Sequence, residues 1–174
     1  MKPELEQLRK VVCIGDAACG KTSLINRFTK GVFGEDYKIT IGCDFFVKSV
    51  ALPNGKKVRL RLWDMGGDER FEYLHTVYYK GTYGAVVLFD VTNPNSFEHL
   101  ANWINDVRKY SEEGKKVPII LVGNKRDLEE HRKIDSEKAQ LFAIEHGVEY
   151  VETSAKDGSG VNEAFEKISN LLVK

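Results

Sequence analysis

Lys10-Val11-Val12-Cys13-Ile14-Gly15-Asp16-Ala17-Ala18-Cys19-Gly20-Lys21-Thr22 decides the fold. Lys10 to Ile14 is a short apolar run that reads as a strand, and Lys21 to Thr29 reads as the helix after it. The stretch Gly15 to Thr22 that joins them fits the pattern G-x-x-x-x-G-K-[ST], placed after a strand and opening a helix as that pattern requires. Backbone N–H groups in such a turn, together with the positive end of the helix, surround an anion. A phosphate chain is therefore the expected occupant. Lys21 is expected to neutralise its β- and γ-phosphates, and the Thr22 hydroxyl to bind magnesium. Nucleotide contacts are expected at Asp16, Ala17, Ala18, Cys19, Gly20, Lys21, Thr22 and Ser23. This loop alone leaves ATP and GTP undecided.

Outward from the loop, apolar runs alternate with helical patterns along all 174 residues, with no repeat, linker or low-complexity segment. That alternation indicates one α/β domain. Strands are expected near Phe45 to Leu52 and Lys57 to Asp64. Pro53-Asn54-Gly55 between them suits a tight turn, so this pair should be antiparallel. Ala85 to Phe89, Ile119 to Val122 and Tyr150 to Glu152 are unalternating runs, as in strands covered on both faces. Helical stretches lie near Pro94 to Tyr110, Ser136 to His146 and Val161 to Leu172. The expected fold is a six-stranded, mostly parallel sheet with one antiparallel strand and five helices, a P-loop NTPase of the α/β class. Ligands of such sheets bind outside the carboxyl ends of the strands.

Two further motifs fall at those ends. Asn124-Lys125-Arg126-Asp127 follows the strand ending at Val122, and Thr153-Ser154-Ala155-Lys156 follows the last strand. Guanine offers its N1 and N2 hydrogens as donors, and the Asp127 carboxylate is the matching bidentate acceptor. Adenine presents an acceptor there and would be rejected.

Together the P-loop, Asn124-Lys125-Arg126-Asp127 and Ser154-Ala155-Lys156 resemble the small GTPases of the Ras superfamily, over nearly the whole chain. The resemblance implies a single small G domain over residues 1–174. Its P-loop is 15–22, its switch I about 33–44, its switch II about 64–79, and its guanine loops 124–127 and 153–156. It implies GTP/GDP and Mg2+ as ligands, with Asn124 bracing the loops, Lys125 along the base, the Ala155 N–H on guanine O6 and Phe33 packed against the base, a core phenylalanine being the alternative. Ser154 and Lys156 complete the nucleotide contacts. Asp64 at the end of a strand is the implied magnesium residue of switch II. Thr40 is the one that coordinates magnesium only with GTP bound, and Gly67 offers its N–H to the γ-phosphate. Thr22, Thr40 and Asp64 are thus the metal set, and Lys21, Thr40, Gly67 and Asp68 the catalytic set. Loss of the γ-phosphate would release both switch loops.

Ile41-Gly42-Cys43-Asp44-Phe45, Arg59-Leu60-Arg61-Leu62-Trp63 and Tyr78-Tyr79-Lys80-Gly81 resemble the Rab branch, which acts in vesicle traffic. Phe45, Trp63 and Tyr78 would there form an exposed partner-binding cluster; filling the core is the alternative for Trp63 and the tyrosines. One departure touches the chemistry. Where the family usually reads Thr-Ala-Gly-Gln-Glu after the magnesium Asp, this chain reads Met65-Gly66-Gly67-Asp68-Glu69. The replaced glutamine orients the attacking water. Asp68 is a methylene shorter and negatively charged beside the γ-phosphate, so slow intrinsic hydrolysis is expected. The alternatives are a general-base role for Asp68 and a side chain turned to solvent. Ala17 and Ala18, where glycine or serine is frequent, are a milder departure.

Lys plus Arg number 26 and Asp plus Glu 26, which offers no basic excess for nucleic acid or an anionic membrane. Cys13, Cys19 and Cys43 form neither a disulfide framework nor a metal spacing, as expected of reduced thiols in the cytoplasm. His75, His99, His131 and His146 are scattered, without zinc spacing. The charge-rich Glu129 to Lys133 reads as a solvated loop. The N-terminus carries charges where a signal peptide needs an apolar stretch, and no run approaches the ~20 residues of a membrane span. Asn170 to Lys174 holds no cysteine for prenylation, so membrane association is expected only through a lipidated tail beyond Lys174. The expected protein is a monomer that meets an exchange factor, an activating protein and effectors through its switch loops. A GTP-loaded interaction module with little hydrolysis is the rival reading, and a P-loop ATPase or nucleotide kinase the distant third.

Overall fold

The computed structural model describes residues 6–173; the readings that fall on Met1 to Leu5 and on Lys174 lie outside the described residues. Among these residues the strands are β1 (Gln7–Ile14), β2 (Cys43–Ala51), β3 (Lys57–Met65), β4 (Gly84–Asp90), β5 (Ile119–Asn124) and β6 (Glu149–Glu152). They form one sheet in the order β2-β3-β1-β4-β5-β6. β2 and β3 pair antiparallel and the remaining neighbours parallel. The helices are α1 (Lys21–Lys30), α2 (His75–Tyr79), α3 in two segments (Pro94–Glu98 and Leu100–Tyr110), α4 (Ser136–His146) and α5 (Val161–Leu172). With α3 counted as one interrupted helix, the expected six strands and five helices are present. No helix of the described residues is long and apolar enough to cross a membrane.

β4 and β5 are buried at every residue, because helices cover both faces of the sheet centre. Alternate residues of each strand face opposite layers. Val11, Cys13, Val86, Leu88, Ile120 and Val122 pack against Leu24, Ile25 and Phe28 of α1 and Phe165 and Ile168 of α5. The Phe28 and Phe165 rings stack with centroids 4.0 Å apart. On the other face Val12, Ile14, Ala85, Val87, Phe89 and Leu121 meet Leu100, Ile104 and Val107 of α3 and Ala139 and Ala143 of α4. β3 shows the contrasting pattern: Val58, Leu60 and Leu62 are buried while Lys57, Arg59 and Arg61 between them are exposed. One face of the hairpin therefore stays open. Its turn closes as the sequence demands, with the Gly55 N–H donating to Leu52 O at 2.9 Å and the Lys56 N–H to Asn54 Oδ1 at 3.0 Å.

α1 and α3 begin in opposite ways. α3 is capped by Asn93, whose side chain accepts from the Asn95 N–H, with Pro94 in the first turn. α1 follows Gly20 at φ 96°, with no side-chain cap and no acid in its first turn, while Arg27 and Lys30 sit in its last. Its N-terminal N–H groups are left for an outside acceptor. The interruption of α3 falls at His99, whose ring crosses to the P-loop: His99 Nδ1 lies 2.6 Å from Asp16 Oδ2, and Trp103 Nε1 donates to Asp16 Oδ1 at 2.9 Å. One carboxylate thus ties α3 to the P-loop.

Two predictions follow from this packing. Leu60→Ala removes a fully buried side chain and should cost about 2–5 kcal/mol in urea denaturation, whereas Leu141→Ala on the exposed face of α4 should stay within about 0.5 kcal/mol. For His99, the hydrogen bond and charge of Asp16, aided by Glu98 and Glu69, raise the ring pKa above its ordinary value. A raised folded-state pKa means that the link stabilises fully below the unfolded value of about 6.5 and is lost as pH rises through the folded one. NMR titration should put the His99 midpoint above about 6.5, and Asp16→Asn should bring it back down.

Candidate functional site

A cavity of about 660 Å³ opens at the carboxyl ends of the strands, between the P-loop, residues 33–40, Gly67 and Asp68, and the loops after β5 and β6. Ala17, Ala18, Gly20, Lys21, Thr22 and Ser23 line it from α1 and the loop before it. Phe33 and Thr40 line it from the segment after α1, and Asn124, Lys125, Asp127, Ala155 and Lys156 from the far loops. Phe33 is half-buried in this wall and not part of the core. Asp16, Cys19, Asp64 and Ser154 stand behind the lining and hold it. The folding thus brings together residues more than a hundred positions apart.

Lys21 is buried, and its Nζ donates to Gly15 O and Asp16 O, each at 2.7 Å, drawing the ammonium into the loop. The Cys19 thiol lies 3.7 Å from it; burial nevertheless raises the thiol pKa above its ordinary value. Thr22 Oγ1 donates to Asp64 Oδ2 at 2.5 Å and stands 2.9 Å from Thr40 Oγ1. Asp64 is fully buried, and its Oδ1 has no hydrogen-bond partner among the described residues. Burial raises its carboxyl pKa, with the Thr22 hydrogen bond opposing. Two hydroxyls and a carboxylate with an oxygen to spare make an all-oxygen set of the kind a hard divalent cation such as Mg2+ takes.

The far wall is braced through Asn124, 1% exposed, whose Nδ2 donates to Cys19 O at 3.0 Å while its Oδ1 accepts from Thr153 Oγ1 at 2.9 Å. Lys125 adopts a left-handed backbone at φ 67°. Its Nζ reaches Ala18 O at 2.7 Å and Asp90 Oδ2 at 2.8 Å, so its stem lies along the cavity. The exposed Asp127 carboxylate is oriented by Ser154 Oγ, which donates to its Oδ1 at 2.7 Å. Arg27, which the sequence reading passed over, holds the last loop by donating to Ala155 O at 2.8 Å and Lys156 O at 2.6 Å. Its side of α1 was legible as helix, but its partner lies 128 residues away.

At the end of β3 the backbone is crowded. A Cβ on Gly66 would stand 2.5 Å from Thr40 O, and one on Gly67 2.3 Å from Gly15 O. The Gly66 N–H donates to Gly42 O at 3.0 Å. Asp68 lines the cavity but turns its carboxylate onto Arg70. Oδ1 accepts from the Arg70 N–H at 2.9 Å, and the guanidinium donates from Nη2 to Oδ2 at 2.7 Å. These hydrogen bonds hold the Asp68 carboxyl down to about 2. Asp68 thereby caps the 3₁₀ turn Glu69–Leu74. Away from the cavity, Phe45, Trp63 and Tyr78 form a continuous aromatic cluster. The Phe45 and Trp63 rings meet edge-on at 4.5 Å, Trp63 and Tyr78 lie 5.9 Å apart, and Phe45 is 58% exposed.

Comparison with known proteins agrees with this layout. The Ras family model matches residues 10–174. The chain is 41% identical over 165 residues to the Ras-related protein Rab-11C of Dictyostelium discoideum, covering 95% of this chain and 72% of that one. It is 40% identical over 175 residues to the Ras-related protein Rab-13 of Bos taurus, covering 100% and 85%. It is 39% identical over 165 residues to the GTP-binding protein ypt3 of Schizosaccharomyces pombe, covering 95% and 76%. With its P-loop, its two far loops and the β2–β3 hairpin arranged as described, the chain belongs to the Ras family, as a small GTPase of the Rab branch.

Proposed function

We propose that this chain is a guanine-nucleotide switch of vesicle traffic that binds GTP and GDP with Mg2+ and hydrolyses GTP slowly. The observation that carries the reading is the closure of Thr40 onto Thr22 and Asp64. It joins the exposed segment after α1 to the phosphate loop through the groups that would hold Mg2+. When bound, Mg2+ neutralises charge on the phosphoryl oxygens. The backbone N–H groups from Ala17 to Thr22 and the uncapped start of α1 take the phosphates, and Lys21 neutralises them. The Gly67 N–H meets the γ-phosphate, so its departure frees both this loop and Thr40.

Asp127 reads the base. Its two oxygens accept from guanine N1 and N2, with Ser154 fixing the carboxylate's orientation, while the Ala155 N–H meets O6 and Phe33 and Lys125 flank the ring. Adenine would leave that carboxylate facing an acceptor, which disfavours an ATPase or nucleotide kinase. Exchange factors, activating proteins and effectors would meet the switch segments and the cluster of Phe45, Trp63 and Tyr78, whose aromatic edges suit an interface.

Asp68 sets the rate. A carboxyl held at about 2 by Arg70 is too weak a base to take a proton from water near neutral pH. Turned onto the guanidinium, it also offers no amide to position that water. The same fork supports the second reading, a GTP-loaded interaction module in which hydrolysis is nearly silent. Chromatography of the nucleotide bound after incubation with GTP separates the two: GDP accumulating over minutes to hours marks the switch, persistent GTP the module.

Two outcomes are expected of variants. In single-turnover assays Asp68→Gln should hydrolyse GTP about 10- to 100-fold faster than the unaltered chain; equal or slower turnover would sink the assignment of Asp68. In competition with labelled GDP, unlabelled GTP should displace it and ATP should not. Asp127→Ala should weaken GDP binding roughly 100-fold or more, because the base's two donors lose their acceptor.

A further inference from the structure

His75 opens α2 and is 4% exposed, yet it belongs to none of the phosphate, base or metal contacts. Its Nε2 lies 3.0 Å from Gly66 O. A carbonyl oxygen only accepts, so Nε2 carries the proton. Nδ1 is buried and has no hydrogen-bond partner among the described residues. The ring is packed at 5.2 Å from Trp103 and 6.2 Å from Tyr79. Trp103 in turn donates to Asp16 of the P-loop. The residue that His75 holds is the one that touches switch I, through its N–H on Gly42 O and through a close approach to Thr40 O that leaves no room for a Cβ.

From this chain of contacts we infer that His75 is a positioning residue that holds Gly66 against switch I, with Gly67 beside it against the P-loop, and so favours GTP over GDP. The mechanism is a difference between states. In the proposed switch Thr40 is drawn in only while the γ-phosphate is present, and Gly66 is then held at its carbonyl by His75 and at its N–H by Gly42 O of switch I. With GDP, switch I withdraws, and the His75 hydrogen bond supports a segment that no longer touches the nucleotide. A contact that matters in one state alone shifts the balance between them. Its loss should therefore change the ratio of the two affinities and not merely their size. The inference rests on the guanine-nucleotide reading above.

The test uses the full chain with His75→Phe, which keeps a ring between Trp103 and Tyr79 but loses the donor, and His75→Gln, whose side-chain amide restores an N–H. Affinities for GDP and for a non-hydrolysable GTP analogue are measured for each. His75→Phe should lower the analogue-over-GDP ratio about five- to fiftyfold, and His75→Gln should recover most of it. A ratio unchanged in His75→Phe, or equally low in His75→Gln, overturns the inference while leaving nucleotide binding intact. Failure of the unaltered chain to bind either nucleotide overturns the guanine reading first, and this with it. Should a variant fail to fold, ring ¹⁵N spectra of the unaltered chain decide. An Nε2–H tautomer more protected from exchange with the GTP analogue than with GDP supports the role; an Nδ1–H tautomer or equal protection refutes it.

Discussion

The site depends on three stretches of backbone passing within contact of one another where β3 ends. A Cβ on Gly66 would stand 2.5 Å from Thr40 O, and one on Gly67 2.3 Å from Gly15 O and 2.6 Å from Ala17 N. Side chains at either glycine would hold the segments apart, so the approach is possible only because both lack a Cβ. Contacts of this kind are short-ranged and lose much of their value over a displacement of an ångström. In the proposed switch, a phosphate that drew Thr40 inward would therefore have a structural consequence at Gly66, and its departure would have the reverse. Conditional binding of partners needs such an arrangement, in which two backbone segments agree in one state and separate in the other.

The rest of the fold keeps the third segment, the P-loop, from moving with them. Asn124 fixes Cys19 O, Lys125 fixes Ala18 O, and His99 with Trp103 fixes the Asp16 carboxylate. These anchors come from β5, the loop after it and α3, elements whose apolar faces are buried in the larger packing. The phosphate loop is thus held from the buried centre of the sheet and from α3, while the segments that face it are held by the Gly66–Gly42 hydrogen bond, by His75 and by Thr40 on Thr22. That asymmetry is energetic: local opening is drawn from regions with few buried apolar contacts. Residues Gly34 to Ile39 are exposed throughout, whereas β4 and β5 are wholly buried.

Much of this was legible in the sequence, for reasons that also explain the remainder. β4 and β5 announced themselves as apolar runs, and α4 and α5 were bounded as the structure has them, because burial and periodicity are local properties of a stretch. The P-loop and the two far loops were legible because their spacing is fixed by a single turn each. The short helix His75–Tyr79 was not: five residues carry too little periodicity to separate helix from loop. Nor is the break at His99, where the sequence pattern predicts a continuous helix from Pro94 to Tyr110. β1 begins at Gln7, before the apolar run, because Gln7 to Arg9 pair with Val58 to Leu60 at the half-open side of the sheet. Arg27, His75, His99 and Trp103 escaped because each acts through a tertiary contact. His99 and Trp103 reach Asp16 across 83 and 87 residues, and nothing in the spacing of either side chain encodes the other.

Asp68 shows how such a contact alters the meaning of a motif. As a bare substitution, a carboxylate in the loop beside the γ-phosphate would be unfavourable, since like charges at close range repel. The fork with Arg70 changes the charge that the loop presents: the carboxylate is spent on a guanidinium two residues away and on the Arg70 N–H. The shorter side chain makes this possible, because an aspartate reaches the backbone N–H two residues on and caps its turn, which a glutamine is less suited to do. On the proposed reading Asp68 supplies no amide to orient water, while its cap on the Arg70 N–H orders the turn Glu69–Leu74. For the proposed cycle both effects act in the same direction. An ordered turn would give partners a formed surface, and slow hydrolysis would keep the γ-phosphate in place longer, so that the proposed GTP-bound state and the surface that reports it would last together.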